Sequence, residues 1–174
     1  YMDFLRNRTL RRTLLCHSDV QINRQLSPAL IQSFYVESIT RHETDPEKPD
    51  VMRFYGSDGT TFATDHPITK AAMQYLSKIF PQSVDFNPLF AKSCEILGIA
   101  TPQPNDAAIL AASLLQAFSY SLNLAEFHAY EPDFTTTVSS HPIASPLARH
   151  EVQFTSLVSS LLHTRVKLDA VGQC

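Results

Sequence analysis

A chain of 174 residues, 44% of them hydrophobic and with a formal net charge of -3, can bury one sizeable core or two small ones and is too apolar to remain disordered. Four glycines are few for a domain that must cradle a nucleotide. Cys16, Cys94 and Cys174 are odd in number and far apart, which excludes a disulfide framework and points to free thiols in the cytoplasm.

The first expected element is a helix from Tyr1 to about Ser18, with Phe4, Leu10, Leu14 and Leu15 near one side and Arg6, Arg8, Arg11 and Arg12 on the rest. Those four arginines are the candidate contact with a neighbouring domain; otherwise they form a solvated face with their stems over apolar neighbours. Asp19 to Gln25 is polar. Ser27 before Pro28 reads as an N-cap with proline in the first turn, so a short helix should run from Pro28 to about Phe34.

Tyr35 to Arg41 alternates and predicts a strand, His42 to Asp50 a loop, and Val51–Tyr55 with Thr60–Thr64 a hairpin around Asp58-Gly59. Ile68, Ala71, Ala72, Tyr75, Leu76, Ile79 and Phe80 share one helical face, started by Pro67 and ended by Pro81, with Asp65 as the expected cap. Asp85 should cap a second helix that stops at Gly98. A third should begin after Asp106, run through Leu122 and end at Asn123 in a left-handed turn. Leu124–Tyr130 and Phe134–Val138 then read as two strands joined by Glu131, Pro132 and Asp133.

Three helices followed by a β-hairpin is the winged-helix order. The expected fold class is therefore α+β, mainly helical, with a winged-helix-like unit, a small antiparallel sheet and an N-terminal helical segment. Residues 1–65 hold the N-terminal helices and hairpin sheet, 66–140 the winged-helix-like unit, and 141–174 a C-terminal arm. Ser140 to Ser145 reads as extended, and Phe154 to Leu162 fits helix or strand equally. The chain opens on Tyr1 and stops just as Asp169 could cap a new helix, so it reads as a piece of a longer polypeptide.

Between Ser93 and Ala148 there is no Lys or Arg, while Glu95, Asp106, Glu126, Glu131 and Asp133 are acidic. Duplex affinity comes mainly from basic residues that neutralise phosphates, so this surface should repel DNA and meet protein instead. A winged-helix transcription regulator is the alternative, supported by helix order alone.

No catalytic, cofactor-binding or metal residue is assigned. None of Gly56, Gly59, Gly98 and Gly172 has the strand-loop-helix context of a nucleotide loop, and no glycine-flanked nucleophilic serine occurs. Glu126 and His128 share a strand face, with His141 and His150 further on, but no short-spaced ligand pair is present. Phe86, Phe90, Phe118, Phe127 and Phe134 fit core positions better than a base-stacking platform. No apolar run approaches the ~18 residues of a membrane span.

Phe4-Leu5-Arg6-Asn7-Arg8, Arg12-Thr13-Leu14-Leu15-Cys16-His17 and Asn23-Arg24-Gln25-Leu26-Ser27-Pro28 together resemble the opening of the methyltransferase regulatory domain family. Asp58-Gly59, Thr64-Asp65-His66-Pro67 and Pro142-Ile143-Ala144-Ser145-Pro146-Leu147-Ala148-Arg149 are similar to its later stretches. These ordered matches span residue 4 to about 169. The resemblance implies a non-catalytic regulatory or accessory domain following a class I S-adenosylmethionine-dependent methyltransferase domain in a bacterial protein. It further implies that S-adenosylmethionine belongs to the adjacent domain and that the partners are that domain, a protein substrate or a second copy, with no nucleic acid or membrane.

Overall fold

The computed structural model describes residues 15–22, 24–132, 137, 139–141, 143–161 and 164–169. The arginine cluster from Arg6 to Arg12 and, apart from Thr137, the second strand expected over Phe134–Val138 lie outside them. Residues 15–22 have no helix; the Val20 N–H donates to the His17 carbonyl in a turn.

Helix α1 is Pro28–Ile31, capped by Ser27, whose hydroxyl accepts from the Ala29 N–H at 3.3 Å. Strand β1, Tyr35–Glu37, is shorter than the alternation predicts. It stops because Ser38 and Thr40 both turn inward: Ser38 Oγ donates to the Leu124 carbonyl at 2.8 Å, and Thr40 Oγ1 lies 3.0 Å from Ser38 Oγ and 2.8 Å from Ser77 Oγ. Ser77 in turn donates to the Met73 carbonyl. Thr40 thereby sits between two hydroxyls in a chain that runs from the Leu124 carbonyl to the Met73 carbonyl.

The first third of the predicted loop from His42 to Asp50 is strand. β2 (Arg41–Thr44) pairs antiparallel with β3 (Met52–Tyr55), and β3 with β4 (Thr61–Thr64). Asp45 draws the loop in, since its Oδ1 accepts from the Glu47 and Lys48 N–H groups while Arg53 Nε donates to its Oδ2 at 2.8 Å. That local turn lets a wholly exposed edge strand complete the sheet.

Helix α2, Pro67–Ile79, buries Ile68, Ala71, Ala72, Met73 and Leu76. Its cap is His66, not Asp65: His66 Nδ1 accepts from the Thr69 N–H at 3.4 Å. Strand β5 (Val84–Asp85) runs into helix α3 (Phe86–Leu97), where Asp85 accepts from the Asn87 N–H as expected. Gly98 closes α3 at φ 69°, and Gly59 closes the hairpin at φ 83°, both in the left-handed region that glycine occupies without penalty. Helix α4 is Asp106–Tyr120. It ends two residues early, at an extended Ser121 (φ -165°) and not at a left-handed Asn123.

Strand β6 (Glu126–His128) follows, then α5 (Pro146–Glu151), β7 (Leu157–Ser159) and β8 (Arg165–Lys167). α5 is an element the sequence reading missed, although Ser145 and Pro146 repeat the Ser27-Pro28 start; Ser145 Oγ accepts from the Ala148 N–H at 3.1 Å. Leu157–Ser159 settles as strand.

The fold is α+β, with helices beside, among the described residues, three small antiparallel sheets ordered β5-β1-β6, β2-β3-β4 and β7-β8. β1 sits at the centre of the first sheet, so a strand from residues 1–65 is inserted between two strands of 66–140. The core follows suit: Ile31, Val36, Phe54 and Phe62 pack in one cluster with Leu76, Leu89, Leu110 and Leu114. Phe86 is buried, and Phe90, Phe118 and Phe127 pack against that cluster, as their spacing predicts; Phe134 is outside the described residues.

Candidate functional site

Two antiparallel register pairs assemble the site. Tyr35 faces His128 and Glu37 faces Glu126 across β1 and β6, which puts Glu37, Glu126 and His128 on one side of the sheet while Val36 points into the core. One donor atom from each of the three lies within 4.8 Å of the other two. His128 Nε2 and Glu37 Oε2 are 3.4 Å apart, with side-chain exposures of 16% and 9%. Neither atom has a hydrogen-bond partner.

Electrostatics at this cluster are unfavourable for a lone carboxylate. Burial pushes the Glu37 carboxyl above the usual carboxylate range, His128 pulls it back, and Glu126 directly opposite pushes it up again. Glu37 and Glu126 also line a cavity of about 330 Å³ that is walled further by Ser38, Phe80, Leu122 and Asn123. The carboxylates thus open on a small space reached from the end of α4 and the β3–β4 hairpin.

Sequence reasoning placed Glu126 and His128 on a common strand face but overlooked Glu37, which is 89 positions before Glu126 and joins it only through the pairing of β1 with β6. No spacing along the chain encodes that register. The remaining histidines and acids scatter. His141 is exposed, His150 packs edge-on to Phe154 at 5.3 Å, and Glu95 pairs with Lys92 at 2.8 Å. Asp106 sits 3.9 Å from His66 Nε2, where the starts of α4 and α2 meet. Cys94 is buried in α3, and its thiol is pushed up by desolvation and by nearby Asp106. The four arginines offered as a domain contact are outside the described residues.

Among the described residues Gly56 and Gly59 belong to the hairpin and Gly98 to a helix end. No helix among those residues is long and apolar enough to cross a membrane. The apolar outer face of α4 (Ala112, Leu115, Phe118) forms, with Leu26, a shallow pocket of about 480 Å³, beside the place where α1 packs on the same helix.

No family model matches the chain. Among curated proteins it is similar to the uncharacterized protein RP789 of Rickettsia prowazekii (strain Madrid E), 29% identical over 105 residues that make up 53% of this chain and 18% of that one. It is also similar to the uncharacterized protein RP027 of the same organism, 22% identical over 98% of this chain and 71% of that protein. Two solved structures share its fold: PKMT2 from Rickettsia typhi, with a TM-score of 0.71 at 19% identity, and PKMT2 in complex with AdoHcy, with a TM-score of 0.66 at 20% identity. Each covers 97% of this chain, which spans 36% and 35% of the two solved chains and 18% of RP789.

Proposed function

We propose that this chain is a non-catalytic regulatory or accessory domain of a bacterial S-adenosylmethionine-dependent methyltransferase, acting by protein contact with the catalytic domain or its methyl acceptor. The observation that carries this reading is the one-sided coverage: nearly all of this fold recurs within about a third of PKMT2, a methyltransferase whose complex holds AdoHcy. A domain-sized match inside a longer chain supports a reading of these residues as one unit of a larger protein.

Two features of the chain support it. The glycines of the described residues serve turns and a helix end, which supports a reading in which the adjacent domain holds the cofactor. α1 packs on α4, and α4 carries Asp106 and no basic residue. A surface of that kind suits protein better than phosphate. Arg6, Arg8, Arg11 and Arg12 would supply the contact with the catalytic domain.

Photo-crosslinking of labelled S-adenosylmethionine to the full-length protein, followed by peptide mapping, tests the division of labour. The label is expected outside residues 1–174, and a label within them would overturn the reading. In the same protein, charge reversal of Arg8 and Arg12 should change methyl-transfer rate or acceptor KM. Unchanged kinetics would remove the proposed contact.

A further inference from the structure

Glu37 and Glu126 stand directly opposite each other on neighbouring strands, an arrangement that repels when both are charged. A cation between them reverses the sign of that interaction. His128 completes the ring, with one donor atom from each residue within 4.8 Å of the others. The second observation is the state of the buried atoms: the Glu37 side chain is 9% exposed, and its Oε2 stands 3.4 Å from His128 Nε2, an ion-pair contact in which neither atom makes a hydrogen bond. Buried polar atoms are almost always hydrogen-bonded, so this contact leaves both atoms with capacity for a ligand.

The spacing identifies the kind of ligand. Four donors around an ion with bonds of ~2.1 Å are separated by ~3.4 Å along each tetrahedral edge, which matches the His128–Glu37 separation. Magnesium and calcium prefer oxygen donors alone, whereas one imidazole nitrogen with two carboxylates suits a first-row transition ion. Two carboxylates and a neutral imidazole around a divalent ion also sum to zero charge, which removes the cost of burying Glu37. We propose that Glu37, Glu126 and His128 bind one divalent transition-metal ion of the zinc class, tying β1 to β6. Three protein donors leave a fourth position for water or another ligand, and Glu37 and Glu126 line a cavity of about 330 Å³. The inference does not depend on the methyltransferase reading, and its test uses no catalytic readout.

The experiment strips the full-length protein with a chelator and titrates Zn2+ against a chromophoric competitor. Wild type should take up one equivalent more than Glu37→Gln or His128→Gln, each of which should weaken this site by at least the ~10–100-fold that losing an outer partner of a metal site costs. His141→Gln, at an exposed histidine, should leave uptake unchanged. Equal uptake by wild type and the Glu37→Gln, His128→Gln double variant overturns the proposal. A ligand-retaining variant guards against misfolding: Co2+ added to His128→Cys should give a thiolate-to-metal charge-transfer band absent from wild type. A His128→Cys protein with the native circular dichroism spectrum and no such band also overturns it.

Discussion

The Ser121 hydroxyl donates to Asp58 Oδ2 at 2.6 Å, joining the tip of the β3–β4 hairpin to the residue that ends α4. Ser57 Oγ reinforces the junction by donating to Asn123 Oδ1 at 2.7 Å, and the Thr60 N–H donates to Asp58 Oδ1 at 3.0 Å. Two sheet strands and a helix terminus are thereby held in one register around the wall of the carboxylate cavity.

Ser121 first, and then the Thr60 backbone N–H, hold the Asp58 carboxyl far below the usual carboxylate range. A group whose folded pKa is depressed stabilises the fold above its unfolded pKa and loses that contribution as pH falls toward the folded value. Asp58→Asn should therefore lower the thermal midpoint at pH 7. The gap to wild type should narrow progressively below about pH 4, the unfolded aspartate range. Parallel melting curves across pH 2–8 check this, and a pH-independent gap would assign the effect to packing rather than to the charge.

Gly56 lies inside the same junction. A Cβ there would stand 2.7 Å from Asp58 Oδ1 and 3.1 Å from Asn123 Cβ. The aspartate cannot give way without breaking its bonds to Ser121 and Thr60. Gly56→Ala should cost about 1–3 kcal/mol in denaturant unfolding, the range for forcing an extra methyl into a packed site. Combined with Asp58→Asn, its cost should fall below the sum of the two, since both remove one junction.

Local signals carried much of the fold. Ser27 with Pro28, Asp85, Gly98 and Asp58-Gly59 each act within a few residues, so they are readable along the chain, and the apolar face of α2 repeats at helical period. The strand β2 was hidden because its stability comes from β3 and from Asp45 folding the loop, while its own residues are all exposed. The candidate site was half legible: Glu126 and His128 are two apart on one strand, but Glu37 reaches them through a long-range register. Register depends on which strand fills the sheet centre, and composition does not say that β1 would.

Burial separates two leucines that the sequence puts on one helical face. Leu114 is fully buried in the core, whereas Leu122, beyond the end of α4, is 57% exposed. Leu114→Ala should cost about 2–5 kcal/mol of unfolding free energy by lost transfer energy and a residual cavity. Leu122→Ala should stay within about 0.5 kcal/mol, as surface substitutions do. A large loss at Leu122 would mean that the helix continues past Ser121, as the sequence reading had it.

In a winged-helix DNA reader the third helix, here α4, would lie open to the major groove, with basic residues at its base-facing and phosphate-facing positions. Here α1 packs on it, Ile31 is only 5% exposed, and α4 offers Asp106 with no Lys or Arg. Ile31→Ala should cost about 2–5 kcal/mol because it opens a cavity between the two helices. A loss of that size would show that the cover is integral to the fold. Uncovering the helix should not create DNA affinity, since the missing phosphate-neutralising charges are a property of α4 itself and not of its cover. Duplex binding measured against salt concentration separates the cases: affinity falling steeply with salt for wild type or Ile31→Ala would reveal several phosphate contacts and overturn the protein-contact reading. An Ile31→Ala protein that is destabilised yet shows no salt-dependent binding would leave protein as the surface on which this helix face acts.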